Sequence, residues 1–164
     1  MPPARLLMTA VATASEKSFS PDAPPLLLVH GGRDHCRNWD WVAQQLCKDW
    51  HVICPDLRGH GDSQWSPDGN YPMDAFVYDL AQLIHQLDLA PVTIIAHSLG
   101  GNISTRYTGL FPENVAKLVC IEGLGPSPEA RAEREAAGTR QRFRKWIEDS
   151  AARHSGRCGD TRRL

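Results

Sequence analysis

No run of apolar residues in this 164-residue chain approaches the roughly 20 that a helix needs to cross a bilayer, so no membrane partner is expected. A surplus of basic charge is missing too. Lys and Arg number 18 against 19 Asp and Glu, a net charge of −1, which lacks the electrostatic footprint of a nucleic-acid binder. The five cysteines (Cys36, Cys47, Cys54, Cys120 and Cys158) contain no C-x-x-C pair. An odd count leaves at least one thiol unpaired, so the pattern points to a reducing, cytoplasmic compartment, with neither metal nor cofactor expected. No internal repeat is present. A secretory leader is only faintly suggested by Arg5 ahead of the stretch from Leu6 to Ala14, which is rich in alanine and threonine and follows a single positive charge. Asn102-Ile103-Ser104 spells a glycosylation sequon, but inside an expected buried helix. The length suits one domain with a sizeable core, since a chain near 150 residues buries roughly 70% of its unfolded surface.

What is present centres on Thr93-Ile94-Ile95-Ala96-His97-Ser98-Leu99-Gly100-Gly101. An apolar run there delivers Ser98 into a tight turn that opens into a helical pattern. A serine hydroxyl attacks poorly at neutral pH unless it is exposed, near a base, and faced by N–H groups that receive the developing oxyanion. Ala96 and Gly100 flank Ser98 in the spacing of a G-x-S-x-G elbow, with alanine in place of the first glycine. A serine before a helix is also an ordinary N-cap, so context matters. Upstream, Leu26 to Val29 reads as a buried strand ending in His30-Gly31-Gly32. Between the two, Val52 to Asp56 runs into the glycine-rich loop Leu57-Arg58-Gly59-His60-Gly61-Asp62-Ser63.

At these three places, in this order and spacing, the chain resembles the α/β-hydrolase superfamily over a window from about Pro25 to Pro126. The resemblance implies an α/β fold with a mostly parallel sheet flanked by helices, represented by its N-terminal half, with the C-terminal strands missing. It implies Ser98 as nucleophile. The oxyanion donors would be the N–H of Leu99 and, from the strand ending in His-Gly, that of Gly32 or alternatively Arg33. His30, Gly31, Arg33 and His97 would line the pocket. His97 is expected to be structural or pocket-lining and not the base, because a neighbour on a tight turn points away from the hydroxyl. His30 and His60 read as hydrogen-bonded turn residues bracing the two glycine loops. A serine at the elbow, in place of aspartate, implies ester, thioester, amide or acyl-type carbon–carbon cleavage of a small, partly apolar molecule.

In chain order the acid and then the histidine follow the serine. Glu122 is the candidate acid, its other reading being a cap on the turn Gly123-Leu124-Gly125 or a pocket-lining side chain. Asp56 and Asp62 precede the serine and are expected to organise the glycine loop. The only histidine after Ser98 is His154, with no strand before it and no apolar helix after it to hold its imidazole near the serine.

Residues 1–25 show no convincing periodicity and end in Ser20-Pro21-Asp22-Ala23-Pro24-Pro25, a loop signal. Residues 26–125 carry the hydrolase-like pattern. Asn38 is expected to N-cap a helix burying Trp39, Val42, Ala43 and Leu46. A longer helix starts after Pro72 with apolar positions from Met73 to Leu87. The strand Val92 to Ala96, a helix with Leu99, Ile103 and Tyr107, a turn at Phe111-Pro112 and a strand from Val115 to Ile121 complete a βαβ pattern. Residues 126–149, rich in Arg, Glu and Ala, read as the start of a helical cap, and 150–164 as an irregular tail. The expectation is a truncated chain, through a premature stop or frameshift near Asp149, with residues 115–121 as an apolar sheet edge prone to self-association. Three functions follow: a serine hydrolase, a ligand-binding or interaction member of the same fold without turnover, and a scaffold half that needs another chain.

Overall fold

The computed structural model describes residues 9–12, 23–125 and 127–138, and beyond these 140–141, 144 and 147–148. Residues up to Leu124 form one unit and those from Gly125 another. In the first unit a five-stranded sheet has the order β1, β3, β2, β4, β5, from β1 (Thr9–Ala12), β2 (Pro25–Val29), β3 (His51–Asp56), β4 (Val92–His97) and β5 (Val115–Ile121). The strands β3, β2, β4 and β5 run parallel, while β1 pairs antiparallel with β3. The segment 1–25, expected to hold no convincing element, thus contributes an edge strand.

The alternation of β2 explains the layers. Leu27 and Val29 face a core shared with α2 (Met73–Gln86) and α3 (Leu99–Leu110), where Leu80, Leu83, Ile84, Ile94, Ile103 and Tyr107 are almost fully buried. Leu26 and Leu28 face the opposite core, with Cys36, Trp39 and Ala43. Both faces are covered, which is why the central strands are continuously apolar.

The segment after β2 departs from its expected form. A short 3-10 turn at Cys36–Trp39 precedes α1 (Asp40–Leu46), and Asn38 lies inside that turn with its amide bonded to Asp34 in place of capping a helix. Ala43 is buried as expected, whereas Val42 is 40% exposed, because the switch from 3-10 to α winding rotates the helical face.

On β5 the apolar side chains are not covered to the same degree: Val119 is 49% and Ile121 48% exposed. No strand pairs with its outer side among the described residues. In the second unit α4 (Pro128–Ala136) begins after Ser127, whose hydroxyl accepts the Ala130 N–H at 3.2 Å. No helix among the described residues is long and apolar enough to cross a membrane.

Candidate active site

The chain leaves β2 for β3 on one side, then crosses over to β4 on the other, so the carboxyl ends of β2 and β4 diverge at a topological switch point. Open α/β sheets bind ligands at such a crevice. Register then decides which residues meet there. Val29 pairs with Ala96, so the loop His30-Gly31-Gly32 and the turn at Ser98 emerge side by side. The approach is close: a Cβ on Gly31 would stand 3.3 Å from Ser98 Cβ and 2.8 Å from His97 Nδ1. A Cβ on Gly32 would lie 3.6 Å from Leu99 Cδ2.

Ser98 sits between β4 and α3 at φ 49°, ψ −109°, a backbone conformation that costs a non-glycine residue on the order of 1–3 kcal/mol and persists only where its surroundings impose it. Its N–H is tied to the Ile121 carbonyl on β5 at 3.1 Å, and its own carbonyl accepts from Asn102 in the first turn of α3 at 3.1 Å. The side chain is partly exposed, and its hydroxyl has no hydrogen-bond partner among the described residues. Leu99 begins α3, and the first N–H groups of a helix have no partner within it.

The two histidines of the glycine loops hold backbone. His30 is fully buried; its Nε2 accepts the Leu57 N–H at 3.0 Å, so Nδ1 carries the proton and donates to the Gly31 carbonyl at 2.7 Å. Burial lowers its pKa below the ordinary histidine value, outweighing the bond to Gly31 that favours the charged form. His30 is thus a buried, neutral brace between the two loops. Its bond to Gly31 orients the peptide that also carries the Gly32 N–H, because C=O and N–H of one trans peptide point opposite ways. His60 accepts the Arg33 N–H through Nε2 at 3.1 Å and lies 2.9 Å from the Arg58 carbonyl through Nδ1. The Arg33 amide is thereby occupied, which leaves Gly32 of the two alternatives with an N–H unbonded among the described residues.

Asp56, at the end of β3, is also structural. Burial alone would raise its pKa, but the N–H groups of Cys36 (2.7 Å) and Asp62 (2.9 Å) bond the carboxylate and bring it below the usual range. Cys36, buried beside this carboxylate, has its thiol pushed up to about 12, which makes it a poor nucleophile. Glu122 follows β5 at φ 63° with its side chain exposed. Its carboxylate has no bonded partner among the described residues. His97 makes no hydrogen bond to Ser98. His154 lies outside the described residues. No group of His, Cys, Asp and Glu among the described residues is arranged to hold a metal. A groove of about 650 Å³ between α2 and α3, lined by Val77, Tyr78, Ala81, Leu110 and Phe111 among others, contains none of these residues.

Sequence reasoning missed the buried pair of Arg58 and Asp79. Nε and Nη2 of Arg58 donate to the two carboxylate oxygens at 2.6 and 2.7 Å, and Nη1 donates to the Asn70 carbonyl at 3.0 Å. The signal was available: Asp79 occupies the i+3 position from Phe76, on the apolar face of α2, where an acid needs a partner.

A family model described as alpha/beta hydrolase fold matches residues 24–161, so the chain belongs to that family. A probable serine hydrolase of Drosophila melanogaster is 30% identical over 79% of this chain and 39% of its own length. The 3-hydroxybutyrate-oligomer hydrolase of Cupriavidus necator is 37% identical over 62% of this chain and 34% of its own. A marine microorganism esterase of known structure superposes with a TM-score of 0.63 at 26% identity, over 81% of this chain and 51% of that one. The chain spans roughly a third of the length of these curated relatives.

Proposed function

We propose that the chain is a serine hydrolase acting on an ester or other acyl-type small molecule. Ser98 attacks the acyl carbon, and the N–H groups of Gly32 and Leu99 receive the oxyanion. The observation that carries this reading is the strained, partly exposed Ser98 wedged against Gly31. Attack moves charge onto the carbonyl oxygen, and preorganised backbone donors stabilise it without reorganising, an effect worth about 2.7–4 kcal/mol per donor in hydrolases. Removing the serine proton requires a base, and no histidine after Ser98 lies among the described residues; Glu122 is the candidate acid. The names of the Drosophila relative and the marine esterase support acyl chemistry. The free thiols of Cys36, Cys47 and Cys120 support a reducing, cytoplasmic compartment.

Reaction with a fluorophosphonate probe tests the assignment, because only an activated serine is captured. Labelling is expected in the parent chain and lost in Ser98→Ala. Ligand-induced stabilisation without any labelling is the signature of a binding protein on the same fold. The exposed apolar residues of β5 support self-association of the chain; sedimentation is expected to show species above monomer mass that Val119→Lys reduces.

A further inference from the structure

We propose that His60 is a positioning residue for the oxyanion hole, acting through the backbone of Arg33; this rests on the assignment of Ser98 and Gly32 above. Arg33 is held at φ 61°, a left-handed conformation that is strained for a residue bearing a side chain. The bond from its N–H to His60 Nε2 at 3.1 Å holds it there. The cross-links are reciprocal. His30, on the first loop, accepts from Leu57 on the second, while His60, on the second, accepts from Arg33 on the first. Gly32 is therefore bracketed, with the Gly31 carbonyl fixed on one side by His30 and the Arg33 amide on the other by His60.

His60 is itself rigidly placed. Its Nε2 accepts, so Nδ1 carries the proton and donates to the Arg58 carbonyl at 2.9 Å, and its ring lies 5.3 Å from that of His30. Arg58 in turn is locked by its two-point contact with Asp79 on α2. The path from α2 to the oxyanion loop thus runs through Asp79, Arg58, His60 and Arg33. Without an acceptor at residue 60, Arg33 relaxes to an ordinary φ and the Gly32–Arg33 peptide turns. The Gly32 N–H belongs to the preceding peptide, which His30 holds through the Gly31 carbonyl; with Gly32 no longer fixed on its Arg33 side, that peptide tilts and the N–H leaves the line to the acyl oxygen. The same bond withdraws the Arg33 N–H from the pocket, so the hole takes its first-loop donor from Gly32 alone.

The test is the concentration dependence of Ser98 phosphonylation in the full chain, separated into a maximal rate and a half-saturating concentration, with Ser98→Ala as blank. His60→Phe keeps a ring beside His30 but offers no acceptor; its maximal rate is expected to fall about tenfold to a hundredfold, with half-saturation changed by less than about twofold. His60→Gln, whose amide oxygen can accept from Arg33, is expected to recover the rate to within about fivefold. A His60→Phe chain that labels like the parent overturns the proposal and leaves Ser98 as nucleophile, and so does a Gln variant no faster than Phe. A parent chain that does not label removes the Ser98 assignment itself. If His60→Phe does not melt cooperatively, amide exchange in the parent decides: protection of Arg33 at least about tenfold above Gly32 supports the bond, and equal protection overturns it.

Discussion

Gly100 packs directly onto the backbone of His30. A Cβ on it would stand 2.6 Å from the His30 carbonyl oxygen and as close to that of Val29. This contact lets the first turn of α3 reach the carboxyl end of β2. Gly109, further along the same helix, has nothing within 4 Å of an added Cβ. One substitution in one helix therefore has opposite expected signs. Gly100→Ala is expected to destabilise by about 2 kcal/mol, because backbone cannot move aside, whereas Gly109→Ala stabilises by up to about 1 kcal/mol through helix propensity. Thermal melts of both variants decide the matter; equal shifts would contradict the packing described.

Strain at Ser98 predicts a second comparison. At φ 49° alanine is as constrained as serine, and glycine is not. Ser98→Gly is expected to be more stable than Ser98→Ala by about 1 kcal/mol or more, with both unreactive. Denaturant midpoints of the two variants measure this, and identical midpoints would mean that the elbow stores no strain.

Stability is expected to fall as pH drops below about 6.5, the ordinary histidine value. Burial holds the folded pKa of His30 below that value, so the unfolded chain binds more protons and protonation favours unfolding. The contribution is fully present above pH 6.5 and is lost as pH falls toward the folded pKa. Asp56 acts in a lower window: its folded pKa is below 3.8, so its contribution is present above that pH and disappears beneath it. Melting points between pH 8 and pH 5 should decline in the parent chain and decline less steeply in His30→Gln. A parallel decline in the two would assign the effect to other groups.

The pair of Arg58 and Asp79 is buried on both sides, with side chains 6% and 5% exposed. Asp79→Ala leaves an unpaired buried guanidinium and is expected to cost about 3–5 kcal/mol, while Arg58→Met with Asp79→Leu recovers most of that loss. Chemical denaturation of the single and double variants tests it; a double variant as unstable as the single would show that the pair does more than satisfy its own charges.

Local pattern carried much of this protein. The continuous apolar runs of β2, β3 and β4 implied a sheet covered on both faces, and the helical spacing from Phe76 to Ile84 implied the buried face of α2. Ser98 was legible as an elbow because Ala96 and Gly100, two positions away on either side, are small and an apolar strand leads into it. Val42 was misplaced because a 3-10 turn shifts the helical phase, a matter of loop closure that periodicity does not encode. Asp79 was passed over because its partner lies in a distant loop.

The sequence by itself determined the central strands, the helices α2 and α3 and the serine at the junction of β4 and α3, since period, turn residues and apolar runs are local properties of the chain. Tertiary structure alone decided which segments lie beside that serine. The pairing of Val29 with Ala96 sets Gly31 against Ser98, and the imidazoles of His30 and His60 each bond to the other's loop. These relations depend on strand register and on hydrogen bonds between residues far apart in the chain, where no local spacing reaches.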